Sequence, residues 1–530
     1  MKIKPTGLLY SFLAGSSLLL APALHAADGS WNVDADGDWG TDTNWTGTTI
    51  ADGTDFTATF GNVITADRII NLDADRTIGN ITASDTTHNY TISGDNILTL
   101  DVTSGQSIID VTSNRELTIS SVIAGSDGLS KSGAGSLFLG GANTFTGGID
   151  LSAGRLVVSN NADEANNLGD ASNVLTFSGD AEFYNANGGV TMGQGIQINT
   201  GVTASITGAF GESFQFDGVL SGDGTMNVQS YSASFSTEFR NTANTFTGNI
   251  IINTVDSLTL RMRSLADSVS TIGLDSAANN GAIFQLMSGA TSGMTFNNRQ
   301  FELIENGNSS TNLGRQARIQ NNSDQAFTIN TDLLVTGTGN KKLFLDSSTA
   351  SGNNNNFNGA IIDAIGEDVL TLYKAGAGSW NLGGVNTYEG DTIVDAGTLT
   401  LAENAELLFV IGALGGENNA ILGDASNAAL NLDGFFRFNL TDASTTVNDS
   451  WNIVDVDNLT ETYGSTFGVF SIVGAFTEDV PDSRLWSISE NGTTYEFSEV
   501  SGVLTVVPEP SAIALIGLGG LVLLRRRRRG

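Results

Sequence analysis

Apolar and polar positions alternate along this chain in short runs, and glycine or asparagine closes each run. In LSKSGAGSLFLGGANTFTGGIDLSAGRLVVS, residues 129 to 159, Leu137 pairs with Leu139, Ile149 with Leu151, and Leu156 with Val158. A period of two describes strands that bury one face. Gly140-Gly141, Gly147-Gly148 and Gly154 fall between the runs, where turns call for left-handed backbone. The pattern predicts strand, turn, strand, turn. Helix-like stretches are few and brief, around Ala162 to Leu168 and Ala402 to Leu408.

The unit recurs. Residues 372 to 402, LYKAGAGSWNLGGVNTYEGDTIVDAGTLTLA, align with it without a gap and share 15 of 31 positions at an offset of 243. Trp380/Leu382, Thr392/Val394 and Leu399/Leu401 take the same apolar places. Partial copies begin at Asn244, with Phe246, and at Asn355, with Phe357. Phe145, Phe246, Phe357 and Tyr388 are expected to stack at one corner, each preceding asparagine bonding turn backbone. One such unit cannot close a core, whereas coils stacked along an axis can, which predicts a parallel β-solenoid.

The pattern K-x-G-x-G-x-x-x-L-x-G-x-N-T-[FY]-x-G, followed by A-G-x-L, resembles the autotransporter-associated β-strand repeat of passenger domains. That resemblance implies an all-β, right-handed parallel β-helix on a bacterial surface. Members of that class end in a membrane β-barrel, which this C-terminal sequence does not resemble, so self-translocation is not implied.

The ends carry different signals. MKIKPTGLLYSFLAGSSLLLAPALHAADGS has two lysines, an apolar stretch and small residues before Asp28, the pattern of a secretory signal cut after Ala26, with Ala23 as second choice. At the other end stand Pro508-Glu509-Pro510, a nearly uncharged run from Ser511 to Leu524, and Arg525, Arg526, Arg527, Arg528 and Arg529. The run is short for a bilayer span, and the arginines would stay cytoplasmic. The three parts in this order resemble the PEP-CTERM sorting signal of Gram-negative bacteria. The resemblance implies a short transmembrane helix as a transient anchor and an exosortase-type enzyme as partner. The secretion translocon is the other expected partner.

Five segments are expected: a signal peptide (1–26), an N-terminal cap and first coils (27–118), the repeat-bearing solenoid (119–405), a C-terminal β-rich region (406–507) and the sorting signal (508–530). Trp31, Trp39 and Trp45 mark the first cap, because an open solenoid end must be covered. Runs such as FFRFNL, WNIVDV and FGVFSIV point to an antiparallel C-terminal cap.

Charge and composition narrow the function. With Lys2, Lys4, Arg525 to Arg529 and Glu509 set aside, 16 basic residues face 56 acidic ones. A body of about −40 repels phosphate, which excludes nucleic acid as a partner. The absence of cysteine removes disulfides, thiolate metal sites and thiol nucleophiles. His88 is the one histidine beyond the leader, too few for zinc or Ser-His chemistry, and its place beside a strand suits a turn.

Asp34, Asp36 and Asp38 invite a calcium reading, but Trp39 and Trp45 stand where an EF-hand needs Gly and Glu. Gly133-x-Gly135 lacks the third glycine of a dinucleotide loop. No catalytic residue, metal site or cofactor is expected. The reading is a non-enzymatic surface or matrix protein, structural and adhesive, with extracellular polysaccharide as a partner. A β-helical polysaccharide lyase or hydrolase is the alternative. A coil face with three or more acidic residues and aromatic platforms would favour it.

Overall fold

The computed structural model describes residues 26–508, apart from 113, 159–166, 210, 212, 231–234, 255–256, 277–280, 305–316, 349–353, 364–367, 424–427 and 481–482. Among the described residues the chain is strand and turn, and its helical pieces are two 3-10 turns, Asp42–Asn44 and Thr46–Thr48. No helix there is long and apolar enough to cross a membrane.

Five sheets are wholly parallel and hold 11, 13, 10, 7 and 4 strands. Each strand pairs with its counterpart one coil away. Ser136 faces Glu116 on one side and Arg155 on the other, steps of 20 and 19 residues. Pairing at that distance stacks coil on coil, because parallel neighbours need a crossover between them.

The sheets replace one another along the axis. The first runs from Gly29–Ser30 to Leu220–Gly222 and the second from Gly37–Asp38 to Leu334–Val335. The third begins at Gly189–Met192 and ends at Ile421–Gly423. The fourth spans Met294–Phe296 to Thr460–Tyr463, and the fifth Val385–Asn386 to Gly468–Ser471. Since one sheet starts before another stops, the interior is never interrupted. Trp31 and Val506 bound one contiguous apolar cluster. Leu137, Leu139, Ile149, Leu151, Leu156 and Val158 are all buried in it, as are the matching residues of the second copy.

The first and last described stretches of the stack carry arrangements of their own. At the first, Trp39 and Trp45 lie 5.2 Å apart and Trp31 and Trp45 5.4 Å apart, all three packed around Phe60. The indole N–H of Trp31 donates to the Val33 carbonyl, that of Trp39 to the Ala51 carbonyl and that of Trp45 to the Trp39 carbonyl. At the other end Ser450–Asn452, Thr477–Glu478, Leu485–Glu490, Thr493–Ser498 and Val503–Val507 form an antiparallel sheet.

Several expectations need correction. FFRFNL and the FGVF of FGVFSIV do not belong to the antiparallel sheet: Phe435–Phe438 pair in parallel with Gly468–Ser471. Ala402 to Leu408 is no helix but a turn followed by the strand Glu406–Val410, in which Leu407 and Phe409 alternate inward. Good helix formers yield here to stacking against Phe435–Asn439. The other helix-like stretch lies mostly outside the described residues. Gly147, Gly148 and Gly154 do adopt left-handed backbone. Gly141 instead lies so close to the next coil that a Cβ would sit 2.4 Å from the Ser121 carbonyl oxygen.

The four corner aromatics are buried but cannot form one stack. Phe145 follows a strand of the second sheet and Phe246 one of the third, Phe357 lies in the fourth, and Tyr388 follows a strand of the fifth. The two full copies therefore occupy different sheets, the first and second for residues 129–158, the third, fourth and fifth for residues 372–401.

Candidate binding surface

Stacked coils leave backbone groups unpaired at every corner, and buried polar side chains meet that need. The Asn143 side chain accepts from the Ile123 N–H (2.8 Å) and donates to the Asn167 carbonyl (2.7 Å). Asn244 and Asn386 do likewise, accepting from Leu220 and Ile361 and donating to Ser264 and Glu406. Their amides staple three successive coils, more than the local turn bonding expected of them.

The lysine of the repeat was not anticipated as a structural group. Lys131 is fully buried, and its ammonium donates to the carbonyls of Ser132, Gly133 and Ala153 at 2.6, 2.9 and 3.2 Å. Lys374 donates to Ala375, Gly376 and Ala396, each at 2.8 Å. Burial pushes both ammonium groups down to about 8. The K-x-G-x-G spacing carries the signal: the glycine two residues on turns its carbonyl toward the same nitrogen. Arg299 is held in a similar cage by the carbonyls of Gly248, Phe246 and Ala266, and burial lowers it to about 10.

Many acidic residues serve the same end. Asp28, Asp67, Asp75 and Asp180 each accept a backbone N–H from the following coil, at Thr57, Asn89, Ile97 and Thr203. The three aspartates weighed for calcium are used in this way, separately. Asp34 takes Thr65 and Arg68, Asp36 takes the Ile69 N–H, and Asp38 takes Asn71. The Thr65 and Arg68 bonds hold the Asp34 carboxyl well below the usual range. His88 sits in a turn closed by Asp85, whose carboxylate accepts the His88 N–H at 2.7 Å.

Among the described residues no three acidic or imidazole groups converge on a common point. A depression of about 450 Å³ on the first sheet is lined by Gln106, Asp150, Ser172 and Thr176, and has one carboxylate. Another, of about 530 Å³, is lined by Asp52, Asp101, Thr54 and Phe56 beside Ala26. Its carboxylates are engaged, Asp52 with Arg76 and Asp101 with the Thr54 hydroxyl. Neither has the three acids and aromatic platform that sugar cleavage would call for.

The outer faces differ sharply. On the first sheet the outward row reads Ile108, Ser130, Asp150, Thr176, Gln197, Ser221 from coil to coil, polar after its exposed isoleucine. On the third sheet it reads Ile283, Arg318, Phe344, Tyr373, Ile393, Leu422. Phe344 and Tyr373 stack with centroids 4.3 Å apart and planes at 9°. The Arg318 guanidinium covers the other face of Phe344 at 4.8 Å, and the Lys342 ammonium lies 5.9 Å from the Tyr373 ring. Beside this rail runs a hydrogen-bonded one, Glu238–Arg261–Gln285–Gln320–Asp346.

Of the residues singled out at the termini, Ala26 packs against Gly53, and Pro508 follows the last strand, Val503–Val507. Glu509, Pro510, the span 511–524 and Arg525 to Arg529 lie outside the described residues.

Stacked parallel coils with long outer faces are the class of structure that the described residues form. Comparison with known proteins agrees with that class. The chain carries two passenger-associated-transport repeats, at residues 129–158 and 372–401, and a PEP-CTERM protein-sorting motif at residues 506–529. It is similar to the adhesin BmaC autotransporter of Brucella suis biovar 1 (strain 1330), with 27% identity over 425 residues. That alignment covers 73% of this chain and 11% of the relative, so the chain spans about a tenth of the length of the protein it matches. No solved structure matches the chain.

Proposed function

We propose that this protein is an exported, non-enzymatic adhesin: a right-handed β-helical rod displayed at the cell surface or in the extracellular matrix. Support comes chiefly from one conjunction, parallel coils over most of a chain that is similar to an adhesin and carries a sorting motif next to its last strand. In this reading the translocon exports the chain and residues 1–26 are removed after Ala26. Residues 508–530 then hold it transiently in the inner membrane. Pro508, Glu509 and Pro510 are presented to an exosortase-type enzyme while Arg525 to Arg529 stop transfer. Adhesion arises from many weak contacts along a long face, which multiply in effect when copies are displayed together. Extracellular polysaccharide is one surface it would meet.

The test is fractionation and intact mass of the native protein from strains with and without the sorting enzyme, joined to an attachment assay. The proposal expects a surface-exposed chain lacking Arg525 to Arg529 only in the enzyme-bearing strain, and weaker attachment when the gene is deleted. Retention of the arginines in both strains defeats the sorting route. Unchanged attachment defeats the adhesive role.

A further inference from the structure

The sorting motif begins inside the fold. It matches residues 506–529, yet Val506 and Val507 belong to the last strand, Val503–Val507. That strand is interior to the antiparallel sheet, paired with Ser450–Asn452 on one side and Thr493–Ser498 on the other. The Val506 carbonyl accepts the Asn448 N–H and the Val506 N–H donates to the Asp449 carbonyl, both at 2.9 Å. Its side chain is buried, as is that of Leu504, whereas Pro508, the next residue after Val507, is exposed. We infer that the strand Val503–Val507 leaves the sheet for the tail to be processed, an inference that rests on the exosortase sorting route.

Reach is the reason. Four steps of chain lead from Val507 to Ser511, where the nearly uncharged run begins, and they span at most about 14 Å. In that route the bilayer begins near Ser511. A folded enzyme domain has at least two packed layers, about 20 Å, and does not fit between the paired strand and the membrane. Withdrawing Val503–Val507 lengthens the free chain by about 17 Å and makes the room. The strand can go alone because its neighbours are held to the coils without it. Phe497 packs on Phe436 and Phe438 with centroids 5.7 and 5.8 Å away, and Trp486 on Phe467 at 5.9 Å. On the other side the Trp451 indole N–H donates to the Leu414 carbonyl at 2.9 Å. Both register partners stay in place, so the strand returns once the tail is gone, and the last strand acts as a latch on sorting.

A disulfide across the strand tests this in the enzyme-bearing strain, since the chain has no cysteine of its own. Ser450 and Thr505 are in register on the outer side of the sheet, within disulfide reach. Ser450→Cys with Thr505→Cys, read on the cross-linked fraction, should slow the loss of Arg525 to Arg529 by intact mass at least about tenfold. Reductant should restore the rate, and so should a flexible Gly-Ser segment of about ten residues inserted between Val507 and Pro508 of the clamped chain. The same insertion in the otherwise unaltered chain should speed the loss, a readout that needs no cross-link. Ser236→Cys with Thr259→Cys, a register pair on the third sheet, should leave the rate unchanged. Equal rates with and without the clamp, a spacer without effect, or equal slowing by the third-sheet pair would each overturn the inference while the sorting route stands. Arginines retained in the unaltered chain would defeat the sorting route itself, and this inference with it.

Discussion

The two full repeats are one sequence device placed in two settings. Inside, matching positions take the same places. Lys131 and Lys374 are caged by three carbonyls each, Asn143 and Asn386 staple neighbouring coils, and Leu139 and Leu382 fill the same interior place. Outside, they part: Ser130 corresponds to Tyr373 and Asp150 to Ile393. The first copy lies in the first and second sheets and the second copy in the third, fourth and fifth. The unit therefore carries its own stacking instructions and does not depend on which sheet it joins. Its outward positions are left free to differ, and they are where a function can be written.

The heaviest blow to this equivalence would come from the core. Trp380→Ala should cost about 4 kcal/mol and Leu137→Ala about 3 kcal/mol, in proportion to the side-chain volume lost from matching places. Hydrogen exchange of Ser379–Leu382 and Ser136–Leu139 would read these as local opening free energies. Local readout is needed because coiled repeats couple mainly to their neighbours. A large effect in one copy and none in the other would show that the copies are not structurally alike.

The lysine cages give a smaller, signed effect. Lys131 and Lys374 have folded values of about 8, below the ordinary 10.5. Above pH 8 the unfolded chain therefore binds more protons, and stability should rise with pH by up to about 1.4 kcal/mol per unit for each lysine. The window closes near pH 10. Burial raises Tyr90, Tyr388 and Tyr463 above that value, so their ionisation favours unfolding there. Denaturant melts at pH 7.5 and 9.5 should show the rise, and Lys374→Met should reduce it. A flat or falling profile contradicts desolvation as the stronger influence on the two ammonium groups.

The smallest effect sharpens the contrast most. Giving the second copy the outer residues of the first, Tyr373→Ser with Ile393→Asp, removes the Phe344–Tyr373 stack and should cost about 1 kcal/mol of fold stability, less than either core change. A cost as large as that of Trp380→Ala would make the rail part of the fold instead of a surface laid upon it.

The interior was legible in the sequence because period-two alternation and turn glycines act locally. Leu137, Ile149 and Leu156 could be placed inward without any knowledge of their neighbours. What escaped depends on the third dimension. The sheet that each copy joins is set by corner lengths that vary from coil to coil, so the corner aromatics could not be put in register. Lys131 stood in the pattern as a charge, yet its role appears only when the carbonyl of Ala153, 22 residues on, closes the cage. Likewise the rail from Ile283 to Leu422 is scattered over 140 residues and becomes a row only through the registers of the third sheet.

Everything rests on successive strands lying in register, one coil apart. Oxidative cross-linking of paired cysteines in this cysteine-free chain tests it most directly, since register neighbours in a parallel sheet fall within disulfide reach. Ser236 is in register with Thr259 on the outer side of the third sheet, while Leu260 points inward. Ser236→Cys with Thr259→Cys should close an intramolecular disulfide readily, and Ser236→Cys with Leu260→Cys should not. Closure at the second pair, or failure at the first, would contradict the stacked coil.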